Sequence, residues 1–104
     1  MPNNFTIQDG PYNGEVYQFL QLHFHWGSKD TQGSEHTIDG KEFPMELHMV
    51  HINSKYVDAQ GNLDGGYATN GDGLAVLGFM FELNSTVSFS NCLIKISDSY
   101  VVSL

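Results

Sequence analysis

The sequence predicts a mainly β protein, on three observations. Val16 to Trp26, Glu46 to Asn53 and Leu74 to Leu83 are runs rich in strand-forming residues, and clusters of Gly, Asn and Asp part them. The first run alternates cleanly with period two, as a strand does and a helix does not. No internal repeat or heptad pattern competes with that reading. At 104 residues the chain is one small domain at most, and a domain of this size buries only roughly two-thirds of its unfolded surface.

Residues 1–15 are polar and turn-rich, with Asp9-Gly10-Pro11 and Asn13-Gly14 marking reversals, and read as a leading loop. Val16 to Trp26 is the first long strand. Alternation puts Tyr17, Phe19, Gln21, His23 and His25 on one face and Gln18, Leu20, Leu22, Phe24 and Trp26 on the other. The second face is mostly apolar and is expected in the core. Gly27 to Gln32 is a loop, Ser34 to Ile38 a short strand, and Asp39-Gly40 a turn of the kind that closes hairpins. In the strand from Glu46 to Asn53, Glu46, His48, Val50 and Ile52 share one face and Leu47, Met49 and His51 the other. A hairpin through Asp39-Gly40 brings Glu35 and His36 alongside the strand that carries His48. Residues 57–73 are a loop without periodicity, and Leu74 to Leu83 is a buried strand, bent or bulged near Gly78. From Ser85 onward, Val87, Phe89 and Leu93-Ile94-Lys95-Ile96 permit a strand or a short helix.

Twelve acidic residues against four lysines and no arginine give a net charge of −8, which repels phosphate backbones and argues against nucleic acid as a partner. The longest apolar run, Leu74 to Leu83, is interrupted by Gly78 and Glu82 and is too short to span a bilayer as a helix. Met1-Pro2-Asn3-Asn4-Phe5-Thr6 lacks the basic segment and apolar core of a signal peptide, so the compartment stays open. Cys92 is alone and forms no internal disulfide. Asn4-Phe5-Thr6 and Asn84-Ser85-Thr86 are formal glycosylation sequons of a kind that chance supplies in a chain rich in Asn, Ser and Thr.

Chemistry concentrates in two strands. His23 and His25, spaced i, i+2, point to one face and can reach one ion, and His48 completes a three-nitrogen site if its strand pairs nearby. Three histidines with an open fourth position describe a catalytic zinc site.

The residues that carry these histidines resemble the α-class carbonic anhydrases. The likeness runs through Gln21-Leu22-His23-Phe24-His25-Trp26-Gly27-Ser28, Gly33-Ser34-Glu35-His36-Thr37-Ile38-Asp39-Gly40 and Glu46-Leu47-His48-Met49-Val50-His51, and resumes at Asp72-Gly73-Leu74-Ala75-Val76-Leu77-Gly78. It is strongest over residues 17–83, with 85–104 a divergent tail. The family domain is more than twice as long, so the chain reads as an incomplete domain: part of a large, twisted, mostly antiparallel sheet with strands missing on both sides. Exposed sheet edges of that kind offer a route to self-association.

The resemblance implies a lyase that hydrates carbon dioxide reversibly to bicarbonate and a proton through a zinc-bound hydroxide. It gives His23, His25 and His48 as the Zn²⁺ ligands and Gln21 and Glu46 as partners that hold the ligand imidazoles. Glu35 matches a glutamate that accepts a hydrogen bond from a threonine hydroxyl, a residue that lies downstream of the matched region. Val50 and Val76 match the apolar wall where carbon dioxide rests, and His36 and His51 match buried structural histidines. No residue matches the rim histidine that exports protons in fast members.

Other readings stay open. Cupins also use His-x-His, but their glutamate follows the pair closely, whereas Glu35 lies ten residues past His25. Ligand-depleted relatives of the anhydrases act as binding modules, though this chain keeps all three histidines. A truncated, catalytically impaired zinc-binding module is the remaining alternative, since an incomplete sheet leaves apolar faces such as Leu74 to Phe81 uncovered.

Overall fold

A computed structural model describes residues 5–10 and 14–83 and the course of the backbone over 94–103. Five strands form one sheet in chain order: β1 (Thr6–Ile7), β2 (Tyr17–Trp26), β3 (Met45–Asn53), β4 (Leu74–Leu83) and β5 (Ile94–Ser103). β1 pairs antiparallel with β2, Thr6 opposite Gln18 and Ile7 opposite Tyr17. The Ser54 amide donates to the Val16 carbonyl and the Asn53 amide to the Gly73 carbonyl, so the end of β3 lies beside the start of both β2 and β4. β3 is therefore antiparallel to each. The three predicted runs are strands β2, β3 and β4 almost residue for residue, and β4 continues unbroken through Gly78. The backbone at Ile94–Ser103 takes the strand alternative. Val87, Phe89, Leu93, Cys92 and the asparagines of both sequons lie outside the described residues. No helix among the described residues is long and apolar enough to cross a membrane.

Two compact units partition the chain. The first comprises Met1–Leu22, Met49–Leu77 and Val101–Leu104. Its core is Tyr17, Val50, Ile52, Ala75 and Val76, and Ile52 and Val76 are each only 2% exposed. The predicted loop over 57–73 contains a bridge between Val57 and Leu63 and a 3₁₀ turn at Gly65–Ala68, whose capping Asp64 accepts from the Gly66 amide. Asp72 ties this segment down. Its carboxylate accepts from Lys55 Nζ and, at 2.7 Å, from Tyr56 Oη, while its carbonyl accepts from Tyr17 Oη at 2.8 Å and Asn53 Nδ2 at 3.1 Å.

The hydrogen bonds from Lys55 and Tyr56 hold the Asp72 carboxyl below its ordinary value of 3.8. A carboxyl whose folded pKa is depressed adds stability that is complete above the unfolded value and is lost as pH falls through the folded one. Asp72→Asn is therefore expected to lower the denaturant midpoint at pH 7 and to converge on the unsubstituted chain only as pH falls through the depressed folded value, where both side chains are neutral. Urea unfolding at a series of pH values reads this directly. Parallel stability curves at all pH values would show that the carboxylate carries no such load.

The second unit comprises His23–His48 and Gly78–Tyr100. Phe43 and Met80 are buried in it, with the Lys41 ammonium 4.9 Å from the Phe43 ring centroid and paired with Glu82. Asp39 and Gly40 have φ of 51° and 79°, the left-handed pair that a two-residue hairpin turn requires, and Ile38 and Lys41 exchange both backbone bonds at 3.0 and 2.9 Å. That one pair is all the strand this hairpin has. The predicted strand from Ser34 to Ile38 is otherwise a loop, because side chains capture its backbone groups. Ser34 Oγ donates to the His36 carbonyl at 2.7 Å and accepts from the Phe43 amide at 2.9 Å, and the His36 amide donates to Glu46 at 2.8 Å. Gly33 opens the loop with φ 152°, and a Cβ there would stand 2.1 Å from the Pro44 carbonyl oxygen.

One expectation is overturned. Leu20, Leu22, Phe24 and Trp26 of β2 are 39%, 50%, 41% and 72% exposed, not core. Alternation reports which side chains share a face; it does not report what covers that face. The described residues bury β3 and β4 and leave this apolar face of β2 open.

Candidate metal centre

Three imidazoles converge in the second unit. β2 carries His23 and His25 on one face, with ring centroids 5.0 Å apart, and β3 brings His48 to within 5.2 Å of the first and 4.6 Å of the second. One ring nitrogen from each lies within 4.8 Å of the other two, a spacing at which all three could hold one ion. His48 is buried and the other two are half-buried. His25 Nε2 is buried with no hydrogen-bond partner. An orphaned polar nitrogen is uncommon in a folded interior and calls for a ligand. Its position among two further imidazoles makes a metal ion the group that fits.

Behind His48 lies Glu46, 1% exposed. Its Oε1 accepts from the His36 amide at 2.8 Å, and its Oε2 accepts from His36 Nδ1 at 2.6 Å and from His48 Nε2. Burial pushes the Glu46 carboxyl up, but the His36 amide and the two imidazoles together outweigh it, and the net displacement is below the ordinary 4.5. The side chain is a buried carboxylate at neutral pH. A carboxylate only accepts, so His48 Nε2 and His36 Nδ1 must both carry protons. In the neutral ring the lone pair is then on His48 Nδ1, which lies 3.9 Å from Glu35 Oε2. The other oxygen, Glu35 Oε1, lies 3.1 Å from His25 Nδ1. Glu35, His36 and His48 form a second grouping whose candidate ligand atoms also lie within 4.8 Å of one another.

The predicted hairpin thus delivers Glu35 and His36 beside His48, as the turn at Asp39-Gly40 requires. His36 itself differs from expectation: its side chain is 44% exposed, because the loop that replaces the short strand leaves one edge of the ring open. His51 is buried at 3%, in the first unit, with Nδ1 3.0 Å from the Met49 carbonyl and its ring edge-on to Phe19. Burial holds its pKa below 6.5 against the carbonyls of Met49 and Ala75, which favours a neutral ring at pH 7. Gln21 is exposed on the His23 face of β2, and Val50 and Val76 are buried in the first unit. Sequence reading missed the direct attachment of His36 to Glu46 and the approach of Glu35 to His25. The hairpin at Asp39-Gly40 was the signal for the first; nothing local in the sequence announces the second.

Residues 1–99 match the eukaryotic-type carbonic anhydrase family. The chain belongs to this family. It is 50% identical over 77 residues to Carbonic anhydrase 7 of Mus musculus and 49% identical over 77 residues to Carbonic anhydrase 7 of Homo sapiens. In each case the match covers 74% of this chain and 27% of the relative. The chain therefore spans about a quarter of the length of these curated relatives. Carbonic anhydrases are zinc-dependent lyases that act on carbon dioxide and bicarbonate, and the mainly β sheet agrees with part of their fold.

Proposed function

We propose that the chain binds one zinc ion through His23, His25 and His48 and that this centre serves the reversible hydration of carbon dioxide. The observation that carries the reading is the orphaned His25 Nε2 inside a cluster of three imidazoles, one of them backed by a buried carboxylate. Zinc held by three neutral imidazoles keeps its double positive charge and lowers the pKa of a bound water to about 7, carbonic anhydrase being the type case. The protein's own contribution is orientation. Glu46 fixes the His48 tautomer that offers Nδ1 to an ion, and two donors from His36 keep that carboxylate charged and aimed. By resemblance, Gln21 supports His23.

A second reading is a zinc-binding module of the same family without turnover, on the same three imidazoles. We read residues 1–104 as an incomplete domain, with exposed sheet edges as a route to self-association.

Native mass spectrometry of the purified chain, paired with stopped-flow hydration of carbon dioxide, separates these. One zinc per polypeptide with hydration above the buffer rate is the expected result. One zinc without hydration selects the second reading, and no zinc overturns both. The same spectrum reports the assembly state.

A further inference from the structure

We propose that Glu35 positions His25, holding its ring so that Nε2 faces the ion, as Glu46 does for His48. The inference rests on the metal reading above and assigns Glu35 a role other than acceptor for a threonine hydroxyl. Each ring has two nitrogens, and the structure gives them different surroundings. Nδ1 of His25 lies 3.1 Å from Glu35 Oε1, while Nε2 is buried and orphaned within the histidine cluster. A proton carried on Nδ1, the nitrogen in contact with the carboxylate, leaves the Nε2 lone pair for the ion, and a carboxylate behind a ligand imidazole both orients it and raises its basicity. The two carboxylate-backed rings then use opposite nitrogens, Nε2 of His25 and Nδ1 of His48.

The same observations limit the size of the effect. Glu35 is 52% exposed at its side chain, so water competes for its oxygens, whereas Glu46 is sealed from solvent. Loss of the Glu35 carboxylate should therefore fall at the lower end of the 10- to 100-fold range typical of such partners, about tenfold in zinc affinity. Its exposed position also predicts little change in the fold when it is removed.

The test is a chelator-competition titration of the full chain with zinc, for the unsubstituted protein, Glu35→Gln, Glu35→Ala and both substitutions in a His25→Ala background. Glu35→Ala should weaken zinc about tenfold, with the thermal melt of the metal-free protein unchanged. Glu35→Gln, which keeps an acceptor oxygen in place, should recover most of that loss. In the His25→Ala background neither substitution should matter, because the ring through which Glu35 acts is gone. A merely structural role would lower the melt and persist in that background, which overturns the proposal. Tight zinc binding by the unsubstituted chain and equally by Glu35→Ala overturns it too, leaving the metal reading intact. An unsubstituted chain that binds no zinc removes the metal reading and the role of Glu35 with it.

Discussion

His48→Ala is expected to lower zinc affinity by at least about a hundred-fold, the largest effect on metal binding of any single change at this site. Structural zinc sites bind with roughly 10–16 kcal/mol, so each of three or four ligands carries about 3–5 kcal/mol. His48 has more than an average share, because its ring is buried, its tautomer is fixed by Glu46, and its free Nδ1 needs no reorganisation to meet an ion. His23 and His25 alone are neighbours on one strand, and two imidazoles bind zinc weakly without a third to close the set. Competition against a chromophoric chelator measures the loss. Retention of zinc by the variant at the affinity of the unsubstituted chain would show that the ion sits elsewhere, with the grouping of Glu35, His36 and a neighbour as the next place to look.

The parts of this arrangement that were legible in the sequence are those set by period and turn chemistry. Period two placed His23 and His25 on one face of β2 and Glu46 and His48 on one face of β3, and the structure keeps both pairings. Asp39-Gly40 announced a two-residue hairpin, and its positive φ values deliver one. What could not be read there is set by groups distant in sequence. Ser34 looked like the start of a strand because nothing local shows that its hydroxyl will serve Phe43 and its own carbonyl neighbour at His36. His36 looked buried because the likeness carries a residue's neighbours but not its cover. The orphaned Nε2 of His25 is a property of three-dimensional placement alone.

The open face of β2 follows the same logic. Leu20, Leu22, Phe24 and Trp26 alternate as a core-facing stripe should, and all four are exposed. Solvent contact of a large aromatic residue at 72%, as at Trp26, is unfavourable at about 25 cal/mol for each Å² that could be covered. The stripe is written for a core, and no cover for it lies among the described residues. On the metal reading proposed above, zinc adds to stability as well, because an ion that binds only the folded form shifts the folding equilibrium by mass action.

Glu46 separates stability from metal affinity, and its two substitutions should diverge. Glu46→Ala removes the one acceptor that serves the His36 amide, His36 Nδ1 and His48 Nε2, in a position 1% exposed. Breaking a buried charged pair by deleting one partner typically costs about 3–5 kcal/mol, since the donors left behind are desolvated and unpaired. Much of the stability of a domain this small lies within that range. Glu46→Gln keeps the volume and one acceptor oxygen but turns the other position into a donor, which faces both imidazole N–H groups where it replaces Oε2 and the His36 amide where it replaces Oε1. The His48 ring can answer by moving its proton to Nδ1, and the lone pair that would meet the ion is then lost. Glu46→Gln should accordingly fold with a modest loss of stability and bind zinc roughly 10- to 100-fold more weakly. Denaturant unfolding of the metal-free proteins and zinc competition on the same samples read the two quantities separately. An unchanged zinc affinity in Glu46→Gln would mean that the carboxylate supports the loop through His36 and not the ligand through His48, and the tautomer argument for Nδ1 would fall with it.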